Sequence, residues 1–274
     1  MPITNLPAIW SQSFIDAFDT ALVYGSVCNR DFEGEAVYGA SVSIPDLSGI
    51  NIDILDYDPD TGLAAPAYVN HAVKTLLINQ YKAFNFYVDS IQKAQESIDK
   101  VQALSSKAAT AMAMAQDTFI ANTFPQAATA IGTDAAPIAL TAGNIYANLV
   151  ALSTNLDEQD VPQDQRSVVL PPAAVALLRQ ADLFTRRDDV VVNGTVGAAA
   201  GFEIKMSNRV PTSAGGAYRI LASHPSGISF VSQLDELVQY TPEAKFGTGI
   251  KGLSIYGCNM LRPESVSVLT ATIA

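Results

Sequence analysis

Hydrophobic and polar positions change period several times along this chain. Near its start, Trp10, Phe14 and Phe18 recur every four residues, with Ala17 and Ala21 alongside. That is the stripe of a short amphipathic helix with a sticky face. From Val37 the period drops to two. Ser41-Val42-Ser43-Ile44 and Ile50-Asn51-Ile52-Asp53-Ile54 alternate apolar with polar residues, as half-buried strands do. Pro45, Gly49, Pro59 and Gly62 punctuate them as turns. Residues 36 to about 68 therefore read as one long hairpin. A lone hairpin is marginal in water, so it must lie on another surface, its own body's or a neighbour's.

The longest regular pattern follows. From Asp89 to Thr123 there is neither Gly nor Pro, and Ile91, Ala94, Ile98, Val101, Ala108, Met112, Ala115 and Phe119 keep a three-four spacing. Only Ser105 interrupts the seam. Asp89 and Ser90 are candidate caps and Pro125 the stop, which predicts a helix of about 34 residues, roughly 50 Å long. A seam rich in Ala, with few flanking charge pairs, argues against a coiled coil. The opposite side carries Lys93, Lys100 and Lys107 at intervals of seven, a positive row about 20 Å long.

Beyond residue 137 the texture is mixed. Thr141–Leu156 reads as a helix, 155–164 as a polar loop and Arg166–Leu170 as a strand; Pro171-Pro172 opens a helix through Leu178. Val190–Val192 and Thr195-Val196 flank Asn193-Gly194, a type I′ hairpin signal. Phe202–Met206 and Tyr218–Ala222 alternate as strands, Pro225–Leu234 is read as a helix, and Leu237–Tyr240, Gly252–Arg262 and Val266–Thr272 return to strand.

Composition changes this picture in one respect. Of 274 residues, 49% are hydrophobic and only 16% charged, against about 25% charged in a typical soluble domain. The chain is short of a solvated exterior, and the expected cover is protein: an oligomer with extensive interfaces. No apolar run approaches the ~20 residues of a spanning helix, so no membrane is expected. Residues 1–29 hold no Lys or Arg, so the positive start of a secretory signal is missing. Cys28 and Cys258 are expected to be reduced thiols in a cytosolic product.

The net charge is −11, which repels phosphate and argues against a nucleic-acid-gripping surface. Nearly all of the imbalance lies in residues 1–68, where ten acids face the single Arg30. Such asymmetry marks an interaction arm. Docking of this acid on the lysine row competes with the reading of a solvated helix face.

Catalytic chemistry has no footing in these residues. Gly247-Thr248-Gly249-Ile250-Lys251-Gly252 matches a dinucleotide-binding pattern by letter. A strand rather than a helix is expected after it, so the match is spurious. His71 and His224 stand far apart without metal-ligand spacing, and His224 before Pro225 suits a turn or helix start. No nucleophile elbow appears, and Asp188-Asp189 directly follow Arg186-Arg187, a self-neutralising loop. The expectation is no enzyme, no cofactor and no metal.

An ordered set of short stretches resembles a known family. It runs from Leu6-Pro7-Ala8-Ile9-Trp10 and Asn29–Gly34 through Ser43-Ile44-Pro45, Leu76–Gln80 and Val168–Pro172. It continues with Gly201-Phe202, Ser207–Pro211, His224-Pro225-Ser226, Phe246-Gly247 through Gly257, and Arg262-Pro263-Glu264. In this order they resemble a tailed-bacteriophage major capsid protein of the Hong Kong ninety-seven fold. The resemblance implies an α+β capsid fold: an N-terminal arm (1–32), an extended loop (33–72), a peripheral domain (73–136 with 232–274) whose spine is the long helix, and an axial domain (137–231).

It further implies self-assembly into hexamers and pentamers of an icosahedral phage head, assembled in the bacterial cytoplasm, with arm and loop overlying neighbours. Packaged double-stranded DNA is then an enclosed cargo without sequence-specific binding. Portal and scaffold proteins are implied partners, and a cement protein is a further one. The arm starts at Met1, so the scaffold is expected to be a separate protein. Candidate contact residues are Trp10, Phe14, Phe18, Asp53, Asp56, Asp58 and Asp60 against Lys93, Lys100, Lys107, Arg186, Arg187, Lys245, Lys251 and Arg262. Covalent cross-linking in the family's best-known member needs a lysine on the extended loop, and residues 33–72 contain none. The alternatives are an encapsulin-like cellular compartment and an α/β enzyme with an acidic arm.

Overall fold

The computed structural model describes residues 22–33, 41–46, 72–89, 99–181, 185–186, 195–241 and 247–273. Three sheets carry the architecture. A two-stranded hairpin base pairs β1 (Ser41–Asp46) antiparallel with β2 (Ala72–Leu77). The alternation at Ser41–Ile44 is thus a strand as expected, but its partner is 72–77; the second predicted strand, 50–54, lies outside the described residues.

The second sheet has order β11-β12-β3, from β3 (Gln80–Asp89), β11 (Ile228–Tyr240) and β12 (Gly247–Met260). Two expectations fail here. Asp89 does not cap a helix; it closes β3, in register with Gly247. Pro225–Leu234 is not a helix. His224 to Gly227 make a turn, in which the Ser226 amide donates to His224 Nδ1 at 3.2 Å and the Gly227 amide to the His224 carbonyl. From Ile228 the chain runs as β11, because β12 offers it a full ladder from Ile228↔Met260 to Tyr240↔Gly249.

Helix α1 (Asp99–Ala121) crosses this sheet. Its 23 described residues span about 34 Å; residues 90–98 of the expected 34-residue helix lie outside the described set. The helix ends three residues before Phe124, whose Pro125 sits in a 3-10 turn. The buried stripe is rotated from the predicted seam. Ser105, Ala109, Met112, Ala113, Gln116, Asp117 and Ile120 are buried, while Ala108, Ala115 and Phe119 are half-buried.

The largest sheet has eight strands. Its main path runs β4 (Thr129–Ile131), β13 (Val266–Ile273), β10 (Tyr218–Ser223), β6 (Ser167–Leu170), β9 (Phe202–Met206), β8 (Thr195–Ala199) and β7 (Thr185–Arg186), with β5 (Ile138–Leu140) also on β13. β6 is buried at all four positions, as a central strand covered on both faces must be. Helices α2 (Ile145–Asp157) and α3 (Pro172–Ala181) supply Leu149, Leu152, Leu156, Val175 and Leu178 to its core. α2 starts later than Thr141 because Asn144 bonds back to the Thr141 amide and the Ala139 carbonyl, closing a turn first. The described type I′-like hairpin turn is Ala200-Gly201, with φ of 50° and 81°, between the paired Ala199 and Phe202. Asn193-Gly194 lies outside the described residues.

One apolar cluster runs through all of this. It joins β6, β9, β10 and β13 to Tyr24, Val27, Cys28, Ile120, Phe230, Tyr256 and Met260. The main sheet, the end of α1 and the three-stranded sheet therefore share a core.

Candidate inter-subunit surface

The hairpin base sits on the three-stranded sheet with one face in and one face out. Val42, Ile44 and Leu76 point inward to pack with Ile78 and Val231, bordered by Phe32, Ile255 and Leu261. Period two then sends Ser41, Ser43, Val73, Thr75 and Leu77 outward. Between β2 and β3 the chain crosses β12 at Gly257, where an added Cβ would stand 2.2 Å from the Leu77 carbonyl oxygen and 3.0 Å from Ile78 Cα. Only glycine admits this approach. Asn259 Nδ2 donates to the Thr75 carbonyl at 3.1 Å, and Lys74 Nζ to the Leu261 carbonyl at 2.6 Å. These ties hold β2 against the body.

Three large apolar side chains stand on the exposed side of this region. Val73 is 61% exposed, Leu77 56% and Tyr81 62%. Further along the second sheet, the Tyr240 ring lies across Gly249, whose Cβ would meet it at 2.6 Å, and its hydroxyl donates to Asn85 Oδ1 at 2.9 Å. Lys251 is exposed, its ammonium 6.0 Å from that ring's centroid. A hollow of about 350 Å³ is lined here by Ala83, Phe84, Asn85, Lys251, Gly252 and Leu253.

Of the residues picked out from the sequence, Lys107 lies exposed on α1 and Arg262 is exposed beside β12. Lys100 lies on α1 one heptad earlier, and Arg186 lies in β7. Trp10, Phe14, Phe18, Asp53, Asp56, Asp58, Asp60, Lys93, Arg187 and Lys245 fall outside the described residues. The Gly247–Gly252 stretch is interior strand, paired with β11 and β3, so its backbone is committed to the sheet. Cys28 and Cys258 are free thiols whose pKa values burial raises, that of Cys258 to about 12. Among the described residues no cluster of His, Cys, Asp or Glu could hold a metal ion, and no helix is long and apolar enough to cross a membrane.

Sequence reasoning missed the polar groups inside. Gln116 Nε2 donates to Ser254 Oγ at 3.1 Å, tying α1 to β12. Asp117 accepts the amides of Val23, Tyr24 and Gly25 at 2.9, 3.0 and 3.2 Å. Buried Arg166 donates to the carbonyls of Val161 and Pro162 and pairs with Asp157. The available signal was a carboxylate at core spacing between Ala113 and Ile120.

The base of a hairpin, carrying exposed apolar side chains, thus rests on a three-stranded sheet crossed by α1. The description of the phage capsid protein family fits residues 72–268. The chain belongs to that family. This phage capsid protein resembles a chain of Mycobacterium phage Che8, at 26% identity and a TM-score of 0.71 over 90% of both chains. It also resembles the capsid of the cyanophage P-SCSP1u, at 19% identity and TM-score 0.67, over 86% of this chain and 84% of that one. The SrpI encapsulin of Synechococcus elongatus shares the fold at 11% identity and TM-score 0.56, over 84% and 81%. Among curated proteins none matches. The role of this capsid protein is structural: it is a component of a shell.

Proposed function

We propose that copies of this capsid protein close into an icosahedral head of hexamers and pentamers around packaged double-stranded DNA, held by non-covalent burial. The observation that carries the reading is the outward face of β2 and the start of β3, where Val73, Leu77 and Tyr81 stand in solvent. Covering such side chains contributes about 1–2 kcal/mol each, and a shell repeats the contact on every subunit.

Charge directs the same contact. The acidic first third and the acids Asp53, Asp56, Asp58 and Asp60 of the extended loop meet a neighbour's basic groups, with Lys93, Lys100, Lys107 and Lys251 as leading candidates. Trp10, Phe14 and Phe18 add an apolar anchor. The chain divides into an arm (1–32), an extended loop (33–72), a peripheral part (73–136 with 232–274) and an axial part (137–231). Strand Val266–Ile273, which runs in the main sheet, is the thread between the last two. Portal and scaffold proteins, and a cement protein, complete the head in the bacterial cytoplasm. The DNA is cargo, since the net charge of −11 opposes binding to phosphate.

Electron microscopy of the expressed full chain tests this: closed cages are expected, and a small soluble oligomer overturns it. Particles from the source cells are expected to hold DNA. Cages holding cargo protein in its place favour the encapsulin-like compartment.

A further inference from the structure

The three-stranded sheet has two edges, and they are finished differently. The edge on β11 is closed at its start. The Asn29 amide donates to the Ile228 carbonyl, the Phe230 amide donates to the Asn29 carbonyl, and Glu33 Oε1 accepts the Ser232 amide at 3.3 Å and its hydroxyl at 3.1 Å. Farther along, the register of β11 shifts between Leu234 and Glu236. A bulge of that kind blunts an edge against further pairing.

The edge on β3 has none of these devices. Its ten residues, Gln80–Asp89, hold an unbroken register with β12 and include neither Gly nor Pro. Lys82 is the one charge before Asp89. Tyr81, Lys82, Ala83 and Asn85 are exposed. Among the described residues, no strand pairs with the outer side of β3. About half of its backbone N–H and C=O groups point that way. A long edge of aromatic residues without a bulge is a template for another strand.

We propose that β3 pairs antiparallel with β3 of a second copy, about a two-fold axis through Asn85, so that two three-stranded sheets join into one of six. Such an axis sets residues whose numbers share a constant sum against each other, reciprocally. The sum must be even, because an odd one brings side chains of opposite faces together. Centred on Asn85, Phe84 meets Phe86 of the second copy, and Phe86 meets its Phe84. Within one copy these rings already stack, their centroids 5.9 Å apart, and Phe84 packs against Ala109 and Met112 of α1. Pairing therefore closes a row of four rings. A centre at residue 84 or 86 leaves one Phe–Phe pair instead of two. Ala83 meets Tyr87, small against large, and the hollow of about 350 Å³ bordered by Ala83, Lys251 and Leu253 leaves room for that ring. Lys82 falls opposite residue 88 and not another lysine. This self-complementarity selects a second copy over a foreign strand. The place of the contact within a head rests on the shell reading above.

Cross-linking of the full chain tests the pairing. In the Asn85→Cys variant, position 85 faces itself. Treated with a short bis-maleimide, the variant is expected to run as a dimer in denaturing electrophoresis, with no higher multimer. Wild type, whose Cys28 is buried and Cys258 half-buried, should stay a monomer. Charge supplies a second measurement. Asn85→Lys and Asn85→Glu each set like charges opposite one another and should weaken association severalfold at low salt, read by sedimentation; mixing the two variants should restore it. A defect of folding would persist in the mixture. Absence of the cross-linked dimer, a ladder beyond the dimer, or a mixture no better than its components overturns the pairing. Cages without the dimer sink the pairing alone; the dimer without cages sinks the shell reading alone.

Discussion

Gly257→Ala puts the origin of the hairpin's direction to a quantitative test. The new Cβ would lie 2.2 Å from the Leu77 carbonyl oxygen and 3.0 Å from Ile78 Cα. An ordinary contact is about 3.5 Å, so a backbone carbonyl must retreat by roughly 1.3 Å. No flexible side chain can yield instead, because the obstruction is main chain. Retreat lifts Leu76 and Ile78, both buried against Val42, Ile44 and Val231, out of their cluster. Overpacking costs about 1–3 kcal/mol, and partial exposure of two aliphatic side chains adds a comparable amount, so about 3 kcal/mol is expected.

That cost is local, since the main apolar cluster lies elsewhere. Hydrogen exchange should report it as a roughly hundredfold loss of protection for the β1 and β2 amides, with β6 and β10 unchanged. Electron microscopy should find few closed cages, because β1 and β2, which carry the outward Val73 and Leu77, lose their seat on the body. Gly143→Ala is the control: only Thr141 Oγ1 approaches its site, at 4.0 Å, and it should behave as wild type. If Gly257→Ala matches Gly143→Ala in exchange and assembly, the crossing at Gly257 does not hold the hairpin.

Arg166→Ala leaves the carbonyls of Val161 and Pro162 without their donor and should cost about 3–5 kcal/mol in urea unfolding; a loss below ~1 kcal/mol would exclude that role. Lys100→Glu and Lys107→Glu should weaken subunit association at low salt, read by sedimentation, with the difference shrinking as salt screens the charges. Unchanged assembly would remove the acid–lysine pairing. Denaturing electrophoresis of assembled particles should give a single band at the 29.0 kDa chain mass, because the extended loop has no lysine; a ladder of covalent multimers would refute non-covalent closure.

The central strands of the main sheet, β6, β9, β10 and β13, were legible from sequence because their signals are local. Phe202–Met206 carries its own alternation and coincides with β9, and Pro172 opens α3 where a first-turn proline belongs. β3 and the part of β11 before Leu237 were not legible. Gln80–Asp89 pairs with a strand more than 150 residues later in the chain, and the carboxylates and glutamines of Ile228–Tyr240 suit a helix until β12 lies beside them. The outward Val73, Leu77 and Tyr81 escaped notice for the same reason: which side of a strand faces solvent depends on what covers the other. Most of the charged contact candidates fall outside the described residues, so charge patterning stays an expectation that the association experiments decide.

The misread seam of α1 has a physical cause that extends to Gly257. Periodicity assigns apolar residues to the inside and polar ones to the outside. Gln116 and Asp117 reverse that rule because distant segments bring Ser254 and three backbone amides to meet them. A buried polar group without such partners would cost several kcal/mol, so its presence in the stripe implies that another part of the chain arrives there. A glycine inside a strand that would otherwise carry a side chain makes the same demand of space. Gly257 meets the crossing from β2 to β3, and Asp117 meets the junction with the arm. The two breaks in local pattern thus stand where residues 23–25 and the strand crossing at Leu77-Ile78 are bolted to the body, segments that neighbour each other in no stretch of the sequence.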